Sequence, residues 1–269
     1  MRKAKLALVQ FESEPMRPEA NVRKALRFVR DAGERGADLD VFPELFVTGY
    51  DTDRIGVRYR ELAEPVDGPI VNAFRIAAKS HGVNLVVPMA LKLEENGAIG
   101  NGAVVIDREG KVAGVYSKVH LWEDERNYFT PGRGFQVFKM DFGKLGVLIC
   151  YDAGFPEATR TLALQGAELL VVPSAFSLPD KHRWDLYFPA RALENTRFVA
   201  AVNGVGGAGA FELFGNNKVA NPRGELLLDG AMNEETMQLL EIDLDQNEKT
   251  SSSIPYLRDL RIETYGYRA

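Results

Sequence analysis

Short runs of Val, Leu, Ile and Ala recur along the chain at 6–9, 39–42, 84–87, 103–106, 145–149, 169–172 and 198–202, with little polar alternation. Strands that are apolar on both faces belong in a sheet covered by other layers, because neither face tolerates water. Between the first two runs, Val22, Ala25, Leu26 and Val29 repeat at i, i+3, i+4 and i+7. That spacing predicts an amphipathic helix over 19–36, with Gly36 as its stop. A second helix is expected after Gly68-Pro69, with Ile70, Ala73, Ile76 and Ala77 on one face. A third is expected over 156–165, stopping at Gly166, and a fourth over 183–197. The alternation of strand and helix gives an α/β class. No linker, low-complexity tract or charge block interrupts it, so one domain over 1–269 is expected.

One segment recurs. Gly36-Ala37-Asp38-Leu39-Asp40-Val41-Phe42-Pro43 resembles Gly166-Ala167-Glu168-Leu169-Leu170-Val171-Val172-Pro173. Two readings are open: any helix-to-strand turn favours glycine and an acid, or the chain has two related halves. Two copies do not make a solenoid.

Composition narrows the function classes. The 269 residues are 45% hydrophobic and 26% charged, with a formal charge of −5. This is the profile of a soluble globular protein, not of a disordered chain. An acidic balance argues against nucleic acid as a partner, since phosphate binding needs a basic surface. No run approaches the ~18 apolar residues of a membrane span. The basic start imitates a signal peptide, but the apolar run 6–9 is too short for one, so a cytoplasmic location and no membrane partner are expected. A lone cysteine, Cys150, cannot form an intramolecular disulfide, and with only three histidines no metal site is expected.

The run Gly204-Val205-Gly206-Gly207-Ala208-Gly209 satisfies G-x-G-x-x-G directly after an apolar strand. A dinucleotide site also needs a helix beginning inside the motif, and the residues that follow have no helical pattern. A glycine loop without nucleotide is the expectation. The chain has no G-x-S-x-G, P-loop or H-E-x-x-H motif.

Three residues can carry chemistry. Cys150 ends an apolar run and precedes a turn and a helix, a place where a sulfur can face the carboxyl edge of a sheet and turn N–H groups can bind an oxyanion. It could equally be a small buried hydrophobe. None of the histidines is well placed as its base. Glu44 follows the run 39–42 and Pro43, where partial desolvation would raise its pKa and suit it to proton exchange; a solvated strand-end carboxylate is the alternative. Lys118 follows a strand-like stretch and is flanked by Val119, His120, Leu121 and Trp122. A cation there could lower the thiol pKa and stabilise an oxyanion, or could simply be a surface lysine with a buried stem.

Together these placements resemble the nitrilase superfamily of carbon–nitrogen hydrolases, over almost the whole chain. Phe42-Pro43-Glu44 resembles the family's glutamate motif, 116–121 its lysine motif, and Cys150-Tyr151-Asp152 with Phe155-Pro156-Glu157 its cysteine motif. Arg191-Ala192-Leu193-Glu194-Asn195 is similar to a further recurring segment. The resemblance implies a four-layer α-β-β-α sandwich, two related halves, a homodimer or higher homo-oligomer, no cofactor, and a C-terminal tail from about 251 packed on the body or a partner subunit. It also implies a Glu44-Lys118-Cys150 triad and a fourth residue, Glu125, with Glu123 the weaker match.

On that resemblance Glu44 accepts the thiol proton, Lys118 and the Tyr151 N–H hold the oxyanion, ammonia departs and water cleaves a thioester. The expected partner is a small primary amide. An N-carbamoyl compound is the alternative, and a catalytically silent binding protein a further one. A nitrile substrate is disfavoured, because the Cys-Trp-Glu form is absent. Arginines found after the cysteine in ω-amidase-like and carbamoylase-like relatives are replaced here by Ala153 and Gly154. An open, uncharged pocket at Gly154, lined by Phe155, Phe176 and Trp184, is therefore expected to favour neutral amides. The run 181–183 could still supply a cation.

Overall fold

The computed structural model describes residues 1–93, 97–207 and 209–266. In chain order the strands are β1 (Lys3–Gln10), β2 (Leu39–Val41), β3 (Asn84–Lys92), β4 (Ile99–Ile106), β5 (Val112–Ser117), β6 (Val137–Lys139), β7 (Lys144–Val147), β8 (Leu169–Ser174), β9 (Phe198–Asn203), β10 (Val205–Gly206), β11 (Leu213–Phe214), β12 (Lys218–Ala220), β13 (Leu226–Asp229) and β14 (Thr236–Asp243). The helices are α1 (Pro18–Glu34), α2 (Thr52–Ile55), α3 (Tyr59–Leu62), α4 (Pro69–His81), α5 (Pro156–Leu164), α6 (Lys181–Asn195) and α7 (Asp245–Ser253).

Two six-stranded sheets form, in the orders β14-β1-β2-β3-β4-β5 and β13-β12-β9-β8-β7-β6. In each, three consecutive parallel strands (β1, β2, β3 and β7, β8, β9) are flanked by antiparallel ones. The recurring sequence segment is the middle parallel strand of each sheet, β2 or β8, with its preceding turn. Gly36 and Gly166 there adopt φ of +70° and +90°, which L side chains resist. The segment therefore marks two halves of the same topology.

The sheets pack face to face. Leu6, Leu8, Leu39, Val41 and Val105 of the first meet Leu145, Val147, Leu169 and Val171 of the second in one core. Ala7 and Val9, on the opposite face of β1, pack instead with Val22, Ala25 and Val29 of α1 and Phe74 of α4. On the second sheet, Leu162 of α5 and Trp184, Phe188 and Ala192 of α6 join the inter-sheet cluster. The result is the α-β-β-α sandwich that the resemblance implies, and it covers both faces of the apolar strands.

The helix predictions hold to within a few residues. The strand predictions differ at their ends: β3 and β4 extend further, to Lys92 and back to Ile99, whereas β7 ends at Val147, short of the expected 149 and three residues before the cysteine. After α7, Leu260, Ile262 and Tyr265 lie beside Pro156, Arg160 and Leu164 of α5. Among the described residues no helix is long and apolar enough to cross a membrane.

Candidate active site

Three chain segments end at one place. Phe42 and Pro43 carry β2 into a turn at Glu44, β5 runs into Lys118, and the extended chain after β7 reaches Cys150. Cys150 opens a short 3-10 turn, Cys150–Gly154, with φ of +48°. A non-glycine residue there carries strain of about 1–3 kcal/mol, which the surroundings must impose. The Asp152 carboxylate is one source. It accepts hydrogen bonds from the Ile149 N–H (3.1 Å), the His120 N–H (2.9 Å) and the Tyr116 hydroxyl (2.7 Å), and lies 2.8 Å from His120 Nδ1. Arg191 of α6 adds a second clamp, donating to the Ala153 and Gly154 carbonyls.

Lys118 sits between two carboxylates, Nζ donating at 2.7 Å to Oε1 of Glu44 and at 2.7 Å to Oε1 of Glu125, all three side chains buried. Glu44 Oε1 also accepts from Asn101 at 2.6 Å. Glu125 accepts from the Tyr50 hydroxyl at 2.7 Å and, through Oε2, from the Trp122 N–H at 3.0 Å. Burial pushes the Glu44 carboxyl up from 4.5 to about 7, Lys118 opposing and Glu125 reinforcing the rise. Burial acts to lower the Lys118 pKa, but Glu125 and Glu44 outweigh it and the ammonium is held firmly. The Cys150 thiol is pushed up by burial and by Glu44, against Lys118 and the Ala175 N–H. Lys118 acts to lower the thiol pKa, as expected, but burial and Glu44 outweigh it and the net shift is upward.

A cavity of about 410 Å³ opens on Cys150 and Tyr151, walled by Tyr50, Trp122, Phe176 and Phe211, with Glu123, Asp180 and Arg183 on its rim. The Arg183 guanidinium lies 4.9 Å from the Trp122 ring centre and pairs with Asp180. Of the expected pocket residues, Phe176 and Tyr151 line this cavity.

Three other expected pocket residues do not. Trp184 is fully buried behind Phe176, its indole N–H bonded to the Asn216 carbonyl at 2.9 Å. Phe155 stacks on His120 at 3.6 Å and lines a separate cavity beyond Tyr151. Gly154 faces Tyr187, whose hydroxyl would lie 3.5 Å from an added Cβ. The uncharged opening at Gly154 is therefore absent from this cavity, and the run 181–183 contributes its arginine instead. Asn101 and Tyr50, which bind the two glutamates, were not singled out from sequence. An asparagine inside the apolar run of β4 was the available signal for the first.

Among its described residues the glycine run starts no α-helix; a single 3-10 turn spans Gly209–Phe211. Val205–Gly206 pairs with Leu213–Phe214 as a small hairpin, and Ala208 lies outside the described residues.

A family profile described as carbon-nitrogen hydrolase matches residues 5–251. A probable nitrilase of Schizosaccharomyces pombe is 35% identical, the match covering 90% of each chain. A 2-oxoglutaramate amidase of Bacillus subtilis is 33% identical over 97% of this chain and 98% of its own. The amidase of Nesterenkonia sp. AN1, solved with the acetamide moiety of fluoroacetamide added covalently at its active-site cysteine, superposes with a TM-score of 0.83 at 30% identity, over 97% of this chain and 94% of that one.

Proposed function

The chain belongs to the carbon–nitrogen hydrolase family, and from that premise we propose that it releases ammonia from a small primary amide through a thioester on Cys150. The observation that carries this reading is the buried Glu44–Lys118–Glu125 cluster set against the cysteine turn. Burial raises both groups, so Glu44 titrates near 7 while the thiol keeps its proton. That is the resting state of a general base beside a neutral nucleophile, not of a preformed thiolate.

Sulfur attacks the amide carbonyl as Glu44 takes its proton. An ammonium has three donors. Two of those on Lys118 are spent on Glu44 and Glu125, which leaves the third for the oxyanion. The Tyr151 N–H lies in the first turn after Cys150, where helical N–H groups lack partners within the helix, and is the second donor. Glu44 then returns its proton to the leaving nitrogen, ammonia departs, and water cleaves the thioester with Glu44 as base again. Both oxygens of Glu125 are engaged, so its part is to hold Lys118 and Tyr50 in place.

Leu164 of α5 and Leu186 and Leu193 of α6 face solvent, which supports pairing of two copies through this layer. Purified protein given unbranched primary amides should release ammonia and the matching acid in equal amounts. Release of neither, from amides or from N-carbamoyl compounds, overturns the reading.

A further inference from the structure

Glu44 and Glu125 flank Lys118, yet their hydrogen bonds are unequal. Both oxygens of Glu125 are engaged, Oε1 by Lys118 and the Tyr50 hydroxyl, Oε2 by the Trp122 N–H. On Glu44 only Oε1 is engaged, by Lys118 at 2.7 Å and by the Asn101 amide at 2.6 Å. Its Oε2 is buried and has no hydrogen-bond partner among the described residues. Besides Lys118 and Glu125, the Cys150 thiol and the hydroxyls of Tyr50 and Tyr59 lie within reach of the Glu44 charge. Glu125 is therefore fully occupied by donors, and Glu44 keeps one oxygen for a proton.

Asn101 is what makes the two oxygens of Glu44 different. It is fully buried in β4, on the strand face that Ala103 and Val105 turn toward the second sheet. The fold itself has little use for an amide there. Among the described residues its side chain makes one hydrogen bond, to Glu44, and its Oδ1 has no partner. A buried amide with an orphaned oxygen costs stability that an apolar side chain of similar shape would not. Departures of this kind from a consistent core belong to functional sites. The backbone of the same residue serves the cluster as well. Its carbonyl accepts the Lys118 N–H at 2.8 Å, so one residue of β4 ties down both the base and the lysine.

We infer that Asn101 is the positioning residue of the general base: its amide holds Glu44 Oε1 against Lys118 and so leaves Oε2 free to take the thiol proton. The inference rests on the amidase reading above. As Sγ bonds to the amide carbon, the carbonyl π pair moves onto its oxygen and the thiol proton passes to Oε2. Oε1 keeps its bonds to Lys118 and Asn101 throughout, so the lysine stays in place for the oxyanion. The proton then moves from Oε2 to the leaving nitrogen as the C–N bond breaks. The amide has a second effect on the base. A hydrogen bond donated to the carboxylate favours its ionised form, the form that can accept a proton.

Removing the amide should weaken the base and spare the fold. The acid limb of kcat/KM reports the base of the free enzyme and should lie near pH 7 in the wild type. In Asn101→Leu and Asn101→Ala it should move up by about one unit, because the ionised glutamate loses a donor. On the plateau above that limb, kcat should fall about tenfold, with KM within about threefold of wild type. The leucine variant should melt within about 4 °C of wild type. An acid limb that stays in place in both variants overturns the inference. A leucine variant that does not fold, or whose kcat falls equally at every pH together with its melting temperature, makes the amide a structural group and overturns it too. A wild type that releases no ammonia from primary amides or N-carbamoyl compounds fails the amidase reading, and the inference with it. An active wild type beside variants with an unmoved limb fails the role of Asn101 alone.

Discussion

The backbone N–H of Glu44 donates to the carbonyl of Ser174 at 3.4 Å, and the two residues hold the same position in two related motifs. Each follows the proline that closes a middle parallel strand, Pro43 after β2 and Pro173 within β8. The halves therefore meet where the carboxyl ends of their strands converge, the edge where α/β sheets carry their sites. One half supplies Glu44 and Lys118, the other Cys150, and packing the two sheets together assembles the cluster.

Glu44→Gln should cost about three orders of magnitude or more in kcat, since the base acts in both halves of the reaction. Lys118→Ala should do the same and also unfold more easily, by about 3–5 kcal/mol, because two buried carboxylates lose their counter-charge. Ammonia release and urea titration measure the two effects. Near-wild-type turnover in either variant means the base or the oxyanion donor lies elsewhere.

The pH dependence follows from Glu44. Its carboxyl keeps a proton in the fold up to about pH 7 that the unfolded chain gives up near 4.5. The stability it contributes is thus fully present below about 4.5 and is lost as pH rises through about 7. Activity runs the opposite way, kcat/KM rising through that range as the base ionises. Glu44→Gln should remove the Glu44 share of the stability slope, leaving that of other buried acids such as Asp40, and make the variant more stable than wild type above pH 7; parallel urea profiles would contradict this.

Asp152→Ala removes the acceptor that ties β5 and His120 to the cysteine turn. It should destabilise the fold by about 3 kcal/mol, since charged hydrogen bonds are lost and buried donors are orphaned. It should lower kcat more than it raises KM, because the positively twisted Cys150 loses a constraint. Denaturant melts and steady-state kinetics test both parts.

Arg183→Ala should raise KM several-fold, about 1 kcal/mol of binding, with kcat little changed. The guanidinium lines the cavity against the rings of Trp122 and Phe176. A fall in kcat as large as the rise in KM would place it at the reacting atoms.

The layers were legible because β1, β3, β8 and β9 are almost wholly buried, so their apolar runs needed no periodicity to be seen. Strands such as β14 were not. Its residues Thr236–Asp243 are mostly half-buried at a sheet edge, where apolar and polar positions contrast weakly. Glu44, Lys118 and Cys150 could be read because each follows a recognisable strand. Tyr50 could not, because its role depends on which loop folds across the strand ends; Asn101 stood out only as an asparagine within β4, and Arg183 only as one of three candidates in the run 181–183. The neutral pocket at Gly154 was misjudged for the same reason: α6 brings Tyr187 over that glycine and Arg183 to the cavity. The direction of the thiol shift needed the number of buried carboxylates around Lys118, and only the packed structure supplies it.

The central claim is that Cys150 carries the acyl group. Intact-mass spectrometry during turnover of a small primary amide, followed by peptide mapping, tests it most directly. The account predicts a mass gain equal to the amide less ammonia, confined to the peptide containing Cys150, that disappears when substrate is exhausted and is absent from Cys150→Ala. Undiminished ammonia release by Cys150→Ala, or an adduct on any other residue, would contradict it.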